Sequence, residues 1–125
     1  IYINENILIQ ALVNIFNNAK DAFSLNKINS EDRYLFITIK KEKENIVLTF
    51  KDSAGGIEEE NINKIFEPYF TTKHQSLGTG IGLYMTNQII TKHLKGKITA
   101  ENESYNFQNK KYKGAKFTIV IPSEI

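Results

Sequence analysis

Apolar residues recur at helical spacing near the start of the chain: Ile7, Leu8, Ala11, Leu12, Ile15, Phe16, Ala19, Ala22 and Phe23. Steps of three and four keep them on one side of a 3.6-residue helix. Asn4 offers an N-cap oxygen and Glu5 an acid in the first turn, so the pattern predicts an amphipathic helix ending near Leu25 and Asn26. Two β-branched and aromatic runs follow, 34–40 and 46–51, with a polar break at 41–45; they read as a hairpin. Residues 58–65 predict a short acidic helix stopped by Pro68, and the polar, aperiodic stretch 71–79 a loop. A second helix is expected over 81–94, with Leu83, Ile89, Ile90 and Leu94 inward and Gly96 as its C-cap. Residues 98–100 and 115–121 read as the last two strands, with 102–113 as the turn between them. Strands thus lie next to strands. The order predicts an α+β two-layer sandwich, its mixed, mostly antiparallel sheet covered on one face by helices.

Composition narrows the class. With 41% hydrophobic and 24% charged residues, a disordered, collagenous or coiled-coil chain is excluded. The 125 residues amount to one domain, 1–125, large enough to bury a core unaided. No cysteine is present, which excludes disulfides, a thiolate nucleophile and Cys-built zinc sites. The net charge is only +2, and the one local basic excess is Lys110, Lys111 and Lys113 around Tyr112. A nucleic-acid binder usually carries a basic stripe, so no nucleic-acid partner is expected. No apolar run reaches the ~18–20 residues of a membrane span. The chain opens on Ile1, Tyr2, Ile3 and Asn4 without Met or a basic leader, the start expected of an excised domain.

Five of the seven glycines fall in two short loops, Gly55 and Gly56 in one and Gly78, Gly80 and Gly82 in the other. Glycine costs stability elsewhere, so this clustering points to positive φ or to close approach of backbone and ligand. The run Gly78, Thr79, Gly80, Ile81, Gly82, Leu83 enters a helix whose free N–H groups and dipole suit a phosphate. An ordinary turn before a helix has the same pattern. The run lacks a Walker lysine and follows no strand, which disfavours P-loop and Rossmann sites.

Asn14, Asn18 and Asp21 lie at i, i+4 and i+7, within roughly 60° of arc beside the apolar face. They form either a solvated edge or an amide row whose oxygens face a hard cation such as Mg²⁺. Asp52 ends a strand beside the first glycines, as an Asx turn would require, or as a carboxylate accepting from an exocyclic amine. Lys73 is either a solvated loop residue or a cation within reach of a phosphate. His74 and His93 have no carboxylate or serine at a spacing that would build a triad.

The order of these signals carries more than any one of them. The stretch from Asn14 through Asn18 resembles the N box of sensor histidine kinases, and Asp52, Ser53, Ala54, Gly55, Gly56 and Ile57 their first glycine box. Ile65, Phe66, Glu67, Pro68, Tyr69, Phe70, Thr71, Thr72 and Lys73 are similar to the F box, and Gly78 to Leu83 to the second glycine box. The resemblance implies the Bergerat fold of the gyrase, chaperone, histidine kinase and mismatch-repair ATPases, with ATP held between helices and a lid formed by 71–79. It assigns Asp52 to the adenine amino group, Asn18 to Mg²⁺, and Asn14 and Lys73 to the phosphates as the catalytic pair. Gly55, Gly56 and Ile57 would lie along the nucleotide with Phe70 and Thr72. Gly78, Thr79, Gly80, Ile81, Gly82 and Leu83 would hold the phosphate chain.

Three positions depart from the family pattern. Ser53 follows the aspartate where asparagine is usual, Ala54-Gly55-Gly56 stands for Gly-x-Gly, and Asp21 stands where many members carry a basic residue. The related ATPases carry a glutamate four residues before the Mg²⁺ asparagine, at the position of Asn14. An amide cannot take a proton at neutral pH, so hydrolysis should be slow and the γ-phosphoryl kept for another acceptor. The resemblance implies a cytoplasmic kinase domain, with anchoring of its full-length protein in the inner membrane as an option. Its partners would be ATP, a dimerisation domain bearing the phosphoacceptor histidine in the same protein, and a downstream response regulator. An anti-sigma-factor-type serine kinase and a nucleotide-gated module without transfer activity are the alternatives.

Overall fold

The computed structural model describes residues 5–68, 70 and 82–123. Helix α1 (Glu5–Leu25) buries Ala11, Ile15, Ala19 and Phe23. Each four-residue step advances the stripe about 40° around the helix axis, so it winds as it descends. Ala11 and Ile15 therefore enter the main core, whereas Ala19 and Phe23 reach a second cluster with Ala54. That drift brings α1 against the turn after Asp52.

Strands β1 (Leu35–Glu42) and β2 (Asn45–Asp52) form the expected hairpin. Strands β3 (Lys97–Phe107) and β4 (Lys110–Pro122) form the second. The sheet runs β1-β2-β4-β3, and every described pairing is antiparallel. Its inner face carries Leu48, Phe50, Ile98, Phe117, Ile119 and Ile121, which close the core beneath the helices. The α+β two-layer arrangement is as the sequence predicts.

The second hairpin corrects one expectation. Residues 102–113 are strand for almost their whole length, and the turn is only Gln108 and Asn109, with φ of 50° and 64°. Two consecutive positive φ angles match the twist of the flanking strands. The extension is polar along its inner face because it runs past the helices. It is anchored from the outer face, where Tyr105, Phe107 and Tyr112 pack on Tyr34 and Phe36 with ring centroids 4.9–5.8 Å apart.

The helical segments also differ in detail. The acidic segment is a 3₁₀ helix, Glu59–Lys64. Helix α2 (Gly82–Gln88) gives way to a π turn, Ile89–His93, which lets consecutive Ile89 and Ile90 both be buried. The left-handed residue past its end is Lys95, at φ 56°, not Gly96. Gly96 is required for another reason: a Cβ there would lie 2.3 Å from the Val120 carbonyl oxygen. Among the described residues no helix is long and apolar enough to cross a membrane.

Candidate functional site

Asp52 ends β2 on the inner face and is 3% exposed. Its Oδ1 accepts from the backbone N–H of Ala54 and of Ala115, each at 3.0 Å. Tyr105 donates its hydroxyl to the Asp52 carbonyl at 2.7 Å. The carboxylate is thus oriented by the turn after β2 and by β4, with β3 holding the backbone behind it, and Oδ2 takes no hydrogen bond from a described residue. Burial pushes the carboxyl above its ordinary value, while the two N–H bonds pull the other way. A buried carboxylate with one oxygen tied down and the other free is an acceptor of fixed direction.

The turn that follows is held at each step. Asn26, just beyond α1, donates to the Ala54 carbonyl at 2.6 Å, and the Gly55 N–H donates to the Lys113 carbonyl at 2.9 Å. Gly55 and Gly56 adopt φ of 102° and 87°, where an L side chain is strained, so both glycines serve conformation. Asn102 of β3 then brackets the Ile57 backbone, accepting from its N–H at 2.7 Å and donating to its carbonyl at 2.5 Å. Ser53 points elsewhere: its hydroxyl donates to the Asp32 carbonyl at 2.6 Å and accepts from the Tyr34 N–H at 2.8 Å. The serine that departs from the family pattern therefore ties β2 to the start of β1.

Asn14 and Asn18 are half-buried on the flank of α1, and neither side chain makes a hydrogen bond with a described residue. Asn18 precedes Ala19, which packs with Ala54 of the turn, so the amide row and the Asp52 turn lie on neighbouring elements. Ile57, Phe70 and Leu83 are each partly buried and pack on the main core. Gly82 opens α2, beside which α1 packs. Thr72, Lys73, Gly78, Thr79, Gly80 and Ile81 lie outside the described residues.

Sequence reasoning missed Asn26, Asn102 and Gly114. Asn102 sits in the stretch read as a turn. The alternation of Glu103, Tyr105 and Phe107 was the available sign of a strand there. Gly114 is a glycine inside a strand, which is itself a sign of close backbone approach. The basic excess of the same hairpin is partly neutralised: Lys110 pairs with Asp32 at 2.8 Å and, with Lys27, Lys111 and Lys113, lines a shallow groove of about 300 Å³. The Lys110 bond holds the Asp32 carboxyl below its ordinary value.

Residues 3–125 match the family model of histidine kinase-, DNA gyrase B-, and HSP90-like ATPases, and the chain belongs to that family. Sporulation kinase E of Bacillus subtilis is 32% identical over 123 residues, which are 98% of this chain and 14% of that kinase. Sensor histidine kinase ZraS of Escherichia coli O157:H7 is 31% identical over 118 residues, 94% of this chain and 22% of that protein. The catalytic domain of histidine kinase ThkA superposes with a TM-score of 0.71 at 31% identity, covering 97% of this chain and 69% of that one. Mycobacterial sensor histidine kinase MprB shares the fold, with a TM-score of 0.74 at 21% identity. The homologues are sensor kinases, and within the family this chain is an ATP-binding catalytic domain of the histidine kinase type. It spans less than a quarter of the length of the curated kinases named here.

Proposed function

We propose that residues 1–125 act as one catalytic domain that transfers the γ-phosphoryl of ATP to a histidine on a dimerisation domain of the same protein, from which a response regulator takes it. The observation that carries this reading is Asp52: a buried carboxylate, one oxygen held by two backbone N–H groups, followed by a turn with two left-handed glycines. Its free oxygen accepts from the adenine amino group, and a carboxylate acceptor discriminates against a base that presents a carbonyl there. Gly55, Gly56 and Ile57 lie along the base. Phe70 and Leu83 would border the base, and the family pattern assigns Thr72, Thr79 and Ile81 to the nucleotide as well.

Asn18 fits a hard cation. It is a half-buried neutral oxygen donor with no described partner, and Mg²⁺ takes few protein ligands, keeping waters and phosphate oxygens for the rest. When bound, the ion neutralises charge on the phosphates. Lys73 adds charge at the γ-phosphate, and the N–H groups of Gly78, Gly80 and Gly82 hold the phosphate chain. Asn14 contributes an amide where hydrolytic relatives place a carboxylate, so no side chain at that position withdraws a proton from water. The domain would work in the cytoplasm, its full-length protein held there or at the inner membrane by segments outside this chain.

The test supplies the protein's own dimerisation domain with Mg-ATP labelled in the γ-phosphate. Label should appear on that domain as an acid-labile, base-stable adduct, and the catalytic chain itself should stay unlabelled. Its His93 sits at the far end of the π turn, roughly 16 Å along the helix axis from Gly82 at about 1.5 Å per residue. Acid-stable label would favour a serine kinase, and nucleotide binding without label a gated module.

A further inference from the structure

Strand β3 presents Ile98 and Ala100 to the core, and the next residue of that inward series is Asn102. All three hydrogen bonds of its side chain go to the segment after Asp52. Oδ1 accepts from the Ile57 N–H at 2.7 Å; Nδ2 donates to the Ile57 carbonyl at 2.5 Å and to Glu59 Oε1 at 3.1 Å. One amide here serves both backbone groups of one residue, as a paired strand would. No other described residue bonds the Ile57 backbone. The fit extends to Gly56, where an added Cβ would lie 2.8 Å from Asn102 Oδ1. The amide fills the space that a side chain at position 56 would need.

We propose that Asn102 is a positioning residue for nucleotide binding: it fixes Ile57, and through it the Gly56 backbone, in the conformation that receives the base end of ATP. This rests on the reading of the Asp52 turn as the adenine site. The near end of the turn is secured by Asp52, Asn26 and the Lys113 carbonyl. At the far end the Ile57 side chain packs on the core, but among the described residues its backbone is hydrogen-bonded by Asn102 alone. Without it the nucleotide must order residues 56 and 57 on binding, and that cost falls on affinity. The phosphates lie at the other end of the ligand, so transfer from the bound state keeps its rate.

The test compares Asn102→Ala and Asn102→Asp with Asn106→Ala, an exposed residue farther along the same strand. Calorimetry with Mg-ATP should show Kd weakened roughly tenfold for the alanine variant, one 1.4 kcal/mol step. The aspartate variant should fall between, because it still accepts from the Ile57 N–H but faces the Ile57 carbonyl and Glu59 with a charge. Adding Glu59→Gln to it should recover part of the loss. Asn106→Ala should bind as the wild type does. In the kinase assay KM for ATP should rise with Kd, while kcat at saturating ATP stays within about twofold. Wild-type affinity in Asn102→Ala overturns the role of Asn102 and leaves the adenine site standing; a wild-type chain that does not bind ATP overturns both. A fall in kcat that tracks the melting temperature, with KM unchanged, would make Asn102 merely a strand residue. The aspartate variant keeps the shape and remains informative if the alanine variant unfolds.

Discussion

Gly114 and Asp52 are in backbone contact: a Cβ at position 114 would lie 1.7 Å from the Asp52 carbonyl oxygen and 2.7 Å from its Oδ1. The missing side chain lets β4 come close enough for the Ala115 N–H to reach the carboxylate. It also leaves the Asp52 carbonyl accessible to the Tyr105 hydroxyl. The orientation of the carboxylate is therefore a property of the β2–β4 contact as much as of Asp52.

Gly114→Ala should disturb stability and site together. Relief of a backbone overlap typically costs about 1–3 kcal/mol, and here the relief must move β4 away from Asp52. Thermal unfolding should show a lower midpoint, and ATP titration of the folded variant a weaker Kd. An alanine variant as stable as the wild type would mean that the strands separate at no cost.

Asp52→Asn should weaken ligand binding without unfolding the domain. The amide oxygen can still accept from Ala54 and Ala115, which leaves the NH₂ group where the free carboxylate oxygen stood. That places a donor against the adenine donor. Losing a charged hydrogen bond costs roughly 1.5–3 kcal/mol, on the order of ten- to a hundredfold in Kd. The loss should be large for ATP and small for a triphosphate whose purine lacks the amino group. Equal losses for both ligands by calorimetry would remove Asp52 from base recognition.

The raised pKa of Asp52 gives stability and binding opposite pH trends. Between the ordinary 3.8 and the raised folded value, the folded chain binds more protons than the unfolded chain. The contribution of Asp52 to stability is then present below 3.8 and is lost as pH rises through the folded value. Base recognition needs the ionised acceptor, so the ATP affinity due to Asp52 is lost as pH falls through that same value. Melting temperatures of wild type and Asp52→Asn should diverge in favour of the variant as pH rises through the window. Their ATP affinities should converge as pH falls through it.

The two asparagines of α1 separate mechanism from binding. Asn18→Ala should remove the Mg²⁺ dependence of ATP binding and abolish transfer to the dimerisation domain. Asn14→Glu places a base where hydrolytic relatives have one, and should raise ATP turnover by the chain alone; general-base assistance is typically worth about 10²–10⁴-fold. Unchanged turnover, with binding intact, would show that the pocket admits no water in line with the γ-phosphate.

Much of this domain was legible in the residue pattern because it is local. The four-residue apolar step of α1, the hairpin of β1 and β2 and the glycines after Asp52 are each set within a few positions of one another. The likeness of four short boxes to a family pattern also depends only on local identity and order. What the pattern left open was the environment of those residues. A polar stretch at 102–113 has the composition of a turn, and only packing on Tyr34 and Phe36 extends it as strand. That extension carries Asn102 to Ile57, 45 positions away in the chain, and brings Gly114 against Asp52. The chemical identity of the acceptor was thus written in the sequence. Its direction, its burial and the rigidity of the turn behind it were decided by the register of β3 on β4 and of β4 on β2, because contacts between distant strands leave no periodicity in either one alone.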